Sequence, residues 1–191
     1  VLEIEVKVRT DDLQGTRQKI LSSGAILVKE RYYEVNTLYD FRERELLAKG
    51  RALRVRTIGK RVYLTFKGPT QKSRRFKIRE ELETEVKNAR QMKKILKALG
   101  FKSIFEYAKH RTVFRKGTLS ICLDETAAGN FIELEGEREK IARFLKLLKI
   151  PRKYWIKLSY IEILRAAGKA GPGPYSSSFS VSPPSAGNPS S

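Results

Sequence analysis

Residues 2–9 read LEIEVKVR, which puts Leu2, Ile4, Val6 and Val8 on one side of an extended chain and Glu3, Glu5, Lys7 and Arg9 on the other. Such period-two alternation specifies a strand that buries one face. The pattern recurs along the chain. Residues 52–58 set Arg54 and Arg56 against Leu53 and Val55, and residues 62–67 set Lys67 against Val62, Leu64 and Phe66. Residues 75–86 line up Arg75, Lys77, Arg79, Glu81, Glu83 and Glu85. Lys109 shares a face with Arg111, and Cys122 with Asp124, while Glu133 and Glu135 alternate with Ile132 and Leu134. For any one strand, a half-solvated antiparallel sheet with cross-strand ion pairs explains the pattern. Across six strands it does not. A solvated face mixes in Ser, Thr, Asn and Gln, whereas this one is nearly all Arg, Lys, Glu and Asp. A sheet curled on itself, with helices outside, makes these residues the lining of a lumen.

The remaining elements fit that picture. Asp11 or Asp12 caps a predicted helix that runs to about Ser23 and stops at Gly24. Strands are predicted at 25–34, 37–40, 52–58, 62–67, 74–86, 107–115, 118–124 and 130–135, with turns at Gly59-Lys60, Lys116-Gly117 and Ala128-Gly129. A basic amphipathic helix is expected from Ala89 to Leu99, and two more at about 137–148 and 160–167. The order predicts an α+β protein built round a large antiparallel sheet. From Gly168 the chain becomes GKAGPGPYSSSFSVSPPSAGNPSS, too poor in apolar residues to offset its ordering entropy. A disordered tail is therefore expected over 168–191, and a single domain over 1–167.

Composition narrows the function. The net charge of +19 suits an anionic partner. One Cys and one His exclude a Cys/His zinc site, and Cys122 has no internal disulfide partner. The apolar runs fall well short of the roughly 20 residues that cross a bilayer. No basic-then-apolar leader precedes the first strand, so a cytoplasmic protein is expected. The sequence opens at Val1 rather than Met, which leaves room for residues upstream.

The charges divide by chemistry. Carboxylates at Glu3, Glu5, Asp124, Glu133 and Glu135 are hard oxygen ligands suited to Mg²⁺ or Mn²⁺. Bases at Lys7, Arg54, Arg56, Lys67, Arg79, Lys109 and Arg111 offer repeated charge-assisted contacts to a polyphosphate. Both signs in one cavity suit a metal–triphosphate. Bases on the predicted outer helices, such as Lys93, Lys94 and Lys97, or Arg143 and Lys146, would suit a nucleic-acid backbone. That reading leaves the carboxylates unexplained, so nucleic-acid binding ranks behind an enzyme.

Glu3-x-Glu5-x-Lys7 resembles the ExExK signature of the CYTH superfamily, the triphosphate tunnel metalloenzymes. NTLYD at 36–40, GRALRVR at 50–56, LTFKGP at 64–69, KIREELE at 77–83, KHR at 109–111, CLDE at 122–125, GNFIELEGE at 129–137 and LSYIEIL at 158–164 continue the resemblance in order. It implies an eight-stranded antiparallel β-barrel whose tunnel holds a triphosphate, with helices packed outside. It also implies a homodimer, and it lies nearest to the class IV, CyaB-type adenylyl cyclases, with inorganic and thiamine triphosphatases as the alternative branch.

Position by position, the resemblance implies metal ligation by Glu3, Glu5, Glu133, Glu135 and Asp124. It implies phosphate binding by Lys7, Arg54, Arg56, Lys67, Arg79, Lys109 and Arg111, of which Lys7, Lys67, Lys109 and Arg111 are the expected catalytic residues. Glu81 and Glu83 would bind metal or orient the bases. Tyr39, with Tyr32 and Tyr33, is a candidate to stack on a base. Ser159 and Tyr160 would close the tunnel or anchor the last helix. In the cyclase branch a ribose 3′-hydroxyl of ATP attacks the α-phosphorus and releases pyrophosphate; in the other, water attacks a terminal phosphorus. The proton acceptor is left open among Lys, Glu, Tyr and hydroxide on the metal, because His110, between Lys109 and Arg111, would point away from the lumen.

Overall fold

Every strand of this chain has an apolar side that needs cover and a charged side that needs partners. Closing the sheet supplies both and leaves no free barrel edge. In a computed structural model, which describes residues 1–169, eight antiparallel strands form a closed barrel. They are β1 (Leu2–Thr10), β2 (Ile26–Asp40), β3 (Ala52–Ile58), β4 (Arg61–Lys67), β5 (Lys77–Val86), β6 (Lys102–Lys116), β7 (Leu119–Thr126) and β8 (Gly129–Glu135). Their spatial order is β1-β5-β4-β3-β2-β6-β7-β8. The expected α+β barrel with helices outside is present.

Helices α1 (Leu13–Ser22), α2 (Glu45–Ala48), α3 (Ala89–Ala98), α4 (Arg138–Leu147) and α5 (Tyr160–Ala166) decorate it. Asp12 caps α1 by accepting from the Gly15 N–H at 2.8 Å, and Asn88 caps α3 by accepting from Gln91. Ser159 and Glu162 form a reciprocal capping box on α5. No helix of the described residues is long and apolar enough to cross a membrane.

The outward apolar faces explain where the helices sit. Val6, Val8, Ile78, Phe114, Ile121, Leu123, Ile132 and Leu134 pack with Ile20 of α1 and with Ile141, Phe144 and Leu145 of α4. Each such side chain, fully buried, contributes about 1.5–3 kcal/mol. A second outer cluster joins Tyr39, Val55 and Val62 to Leu96 of α3. The third cluster, Leu38, Phe105 and Phe131 with Tyr160, Ile163 and Leu164, brings α5 onto one end of the barrel. The chain before α5 is tied in as well: Lys7 and Ile156 exchange backbone hydrogen bonds of 2.9 and 2.8 Å, where β5 no longer flanks β1.

Details of β2 and β5 depart from the sequence reading. The separate strands predicted at 25–34 and 37–40 are one strand, β2, whose pairing with β6 shifts register twice between Leu27 and Tyr32. Asn36, in the gap between the two predicted strands, is buried inside the barrel, and its amide donates to Glu34 at 3.1 Å. Arg75 is not on the charged face of β5; it precedes the strand, in a turn where the Ser73 hydroxyl accepts from the Phe76 N–H. Of the tail expected over 168–191, Gly168 (φ +64°) and Lys169 follow α5, and the rest lies outside the described residues.

Candidate functional site

The lumen encloses a cavity of about 500 Å³ whose wall carries ten basic and seven acidic side chains. Strand register puts them there. Glu3 pairs with Arg79 and Glu5 with Lys77 across β1–β5, while Glu5 meets Glu135 and Lys7 meets Glu133 across β1–β8. Lys67 stands beside Glu81 across β4–β5. The cavity brings together Glu3, Glu5, Lys7, Arg54, Arg56, Lys67, Arg79, Glu81, Glu83, Lys109, Arg111, Glu133 and Glu135. All of these had been singled out in the sequence.

The bases are held in place by carboxylates. Lys7 Nζ lies 3.0 Å from Glu5 and 3.1 Å from Glu133. Burial alone would pull its ammonium down, but Glu133 and Glu5 outweigh this and hold it above the ordinary lysine value. Lys67 Nζ donates to both oxygens of Glu3 at 2.8 and 2.9 Å and also pairs with Glu81. Arg79 donates to Glu3 at 3.2 Å. Arg54 reaches Thr65 at 3.2 Å and Glu83 at 3.4 Å. Glu133, buried, would ordinarily be pushed up, yet Arg111, Lys7 and Lys109 hold it well below the usual carboxylate range.

Asp124 occupies a different place from the one expected. It is wholly buried behind the wall and accepts from Arg111 through two bonds of 2.6 Å, from Lys109 at 2.9 Å and from the Tyr160 hydroxyl. Its oxygens are already occupied by protein donors. We therefore correct its expected place among the metal ligands: the carboxylate is engaged in holding two basic side chains of the tunnel wall, Lys109 and Arg111. Tyr39 is corrected too. It packs outside the barrel against Val55, Val62 and Leu96, where no ligand of the lumen can stack on it. His110 also faces outward, its ring 5.1 Å from that of Tyr33. Cys122 is buried, and burial pushes its thiol up to about 12, so it has no nucleophilic form near neutral pH.

Glu34 was missed. Its side chain is fully buried, it sits 3.6 Å from Lys109, and it accepts from Asn36. Burial raises its carboxyl, but Lys109, Arg111 and Arg56 outweigh that and bring it from 4.5 to about 2. The signal was hidden because the β2 register shifts obscure which residues face inward. With the folded value below the unfolded one, its stabilisation is complete above about pH 5 and is lost as pH falls towards about 2, in total about 3 kcal/mol. Glu34→Gln should accordingly flatten the acid-unfolding limb followed by circular dichroism, and an unchanged limb would remove Glu34 from the network.

Two features of the wall concern charges that lack a matching partner in the protein. Arg54 Nε, Arg56 Nε and Lys77 Nζ are buried without a hydrogen-bond acceptor in the protein. Burial drags the Lys77 ammonium down to about 8, against the pull of Glu5. Conversely, the Glu135 carboxyl is pushed up to about 7 by burial and by Glu3, Glu133 and Glu81. Among the described residues no three His, Cys, Asp or Glu side chains already converge as a metal cluster. The donor chemistry of Glu3, Glu5, Glu133 and Glu135 nevertheless fits a hard divalent cation.

The family model for the CYTH domain matches residues 2–159. A curated candidate adenylate cyclase of Methanocaldococcus jannaschii is 28% identical over 174 residues, covering 85% of this chain and 98% of that protein. Among solved structures, a candidate adenylate cyclase of Vibrio parahaemolyticus superposes with a TM-score of 0.74 at 21% identity, covering 86% of this chain and 98% of that one. A candidate adenylyl cyclase of Hippeastrum, described as having a dominant triphosphatase activity, superposes at 0.62 and 20% identity, covering 86% and 95%. These two superpositions show a shared barrel.

Proposed function

This chain belongs to the CYTH domain family, and from that premise we propose that it is a Mg²⁺- or Mn²⁺-dependent enzyme acting on a triphosphate within its tunnel, as a class IV adenylyl cyclase that converts ATP to cyclic AMP and pyrophosphate. The observation that carries the reading is a wall of ten basic side chains round one cavity, in which Arg54 Nε, Arg56 Nε and Lys77 Nζ are buried with no hydrogen-bond acceptor in the protein even though Arg54 Nη2 and Lys77 Nζ lie near carboxylates. Leaving a buried charged donor unpaired costs about 1–3 kcal/mol or more. An incoming polyphosphate recovers that cost at several points of the wall at once.

In this reading the bases act mainly by position and charge. Arg54, Arg56, Lys67 and Arg79 grip phosphate oxygens from β3, β4 and β5, and Lys7, Lys109 and Arg111 from β1 and β6. Asp124 and Glu34, buried behind, hold Lys109 and Arg111 in place before substrate arrives, so little reorganisation is needed as charge develops. Glu3, Glu5, Glu133 and Glu135 would hold the cation, which supplies charge neutralisation on the phosphates when bound. Leu38, Ala52, Tyr107 and Ile161 form an apolar shelf at the end of the cavity near α5, and it suits a purine ring. The Methanocaldococcus relative, described as a candidate adenylate cyclase, supports the same branch.

One feature favours a second reading, hydrolysis of inorganic or thiamine triphosphate. Among the described residues, the four side chains of that shelf offer one polar atom, the Tyr107 hydroxyl, which is little with which to read the edge of a base. Product analysis decides. Purified protein with Mg²⁺ or Mn²⁺ is given ATP, tripolyphosphate or thiamine triphosphate, and the products are separated by chromatography. Cyclic AMP with pyrophosphate is the expected result. Orthophosphate without a cyclic nucleotide moves the protein to the hydrolase reading, and no turnover of any of the three overturns both.

A further inference from the structure

Of the tunnel's four lysines, three are engaged. Lys7, Lys67 and Lys109 each lie within 3.0 Å of at least one carboxylate oxygen, at 3.0, 2.8 and 2.9 Å respectively. An anion approaching any of them competes with a partner already at hydrogen-bond distance. Lys77 is different. Its one carboxylate contact among the described residues is Glu5 at 3.5 Å, beyond a good N–H···O distance, and its Nζ has no hydrogen-bond acceptor in the protein. The side chain is only 7% exposed. Yet the residue lines the cavity.

We propose that Lys77 is a further anion-binding residue of the tunnel, its ammonium taking a phosphoryl oxygen of the bound triphosphate beside Glu5. The inference rests on the triphosphate reading and adds to it a contact outside the set of bases assigned above. Register supports the placement. Glu5 pairs with Lys77 on one side and with Glu135 on the other, so the ammonium stands in one row with two carboxylates assigned to the cation. A phosphoryl oxygen in that row meets positive charge from the wall as well as from the metal. An ammonium has three donors and no acceptor, so a buried Lys77 can be satisfied only by an anion or a polar oxygen. Without one it weakens the fold. A stability cost kept where a ligand would remove it fits a binding residue.

The test is calorimetric titration of tripolyphosphate into the full chain in EDTA-containing buffer, with thermal unfolding of each variant alongside. Lys77→Met is expected to weaken binding about ten- to a hundredfold, with the melting temperature unchanged or raised by a few degrees. Lys77→Arg, which keeps the charge, is expected to bind within a few-fold of wild type. Undiminished binding by Lys77→Met overturns the proposal. So does a loss in Lys77→Arg as large as in Lys77→Met, or a fall in melting temperature that accompanies lost affinity in Lys77→Met, since either makes packing the cause. Where the wild type binds only with Mg²⁺ added, the variants are compared there; a wild type that binds tripolyphosphate neither in EDTA nor with Mg²⁺ is a separate result, and it counts against the triphosphate reading itself.

Discussion

Asp124→Ala is expected to lower the unfolding free energy by about 3–5 kcal/mol, the usual cost of removing one partner from a buried charge network, and to abolish turnover with it. The carboxylate is the common acceptor for Lys109, Arg111 and the Tyr160 hydroxyl. Removing it leaves an ammonium and a guanidinium facing each other away from solvent. Glu34, 3.6 Å from Lys109, and Glu133, 2.7 Å from Arg111, compensate only in part. Asp124→Asn keeps the side-chain volume and one acceptor, and is expected to fall between the two. Urea unfolding in EDTA measures the effect without a metal. An unchanged stability, paired with weakened Mn²⁺ binding, would return Asp124 to the metal ligands. The loss expected in EDTA instead marks a positioning residue, acting through the two bases it holds.

The barrel was legible because its two faces differ so sharply in chemistry. Wherever alternation is unbroken, as in β1, β3 and β8, the inward residues are those the sequence names, down to Arg54, Arg56, Glu133 and Glu135. Legibility fails where parity is interrupted. The shifts in β2 joined two predicted strands and hid Glu34, while a further shift between Leu38 and Tyr39 accompanies the turn of Tyr39 outward under α3. Asp124 shows a different limit. Its strand face was read correctly, but alternation cannot tell a carboxylate that lines a cavity from one already enclosed by Lys109, Arg111 and Tyr160. That distinction depends on which side chains converge from β6 and α5. Lys77 also stood on the charged face in the sequence, and only its lack of an acceptor sets it apart from Lys67 and Lys7.

Glu135→Gln is expected to cut metal-dependent turnover roughly a hundred- to thousandfold, the loss that follows when several kcal/mol of cation-borne charge stabilisation is removed, while leaving the fold as stable as before or slightly more so. The two effects separate because Glu135 is at the rim of the cavity and makes no ion pair among the described residues. Its side chain is solvent-exposed, yet the surrounding barrel wall and the like charges of Glu3, Glu133 and Glu81 push its carboxyl up. A neutral amide relieves that repulsion. It also removes an anionic oxygen from the place where a cation would be held. Glu133→Gln makes the useful contrast, since Glu133 pairs with Lys7 at 3.1 Å and Arg111 at 2.7 Å, and its loss should weaken the fold and the activity together. Thermal unfolding, Mn²⁺ titration and turnover on the two variants give the comparison. Full turnover in Glu135→Gln would remove that residue from the metal site. Lost turnover with lost stability would make Glu135 a structural partner like Glu133, whereas lost turnover at undiminished stability leaves cation binding as the function of an otherwise unfavourable charge.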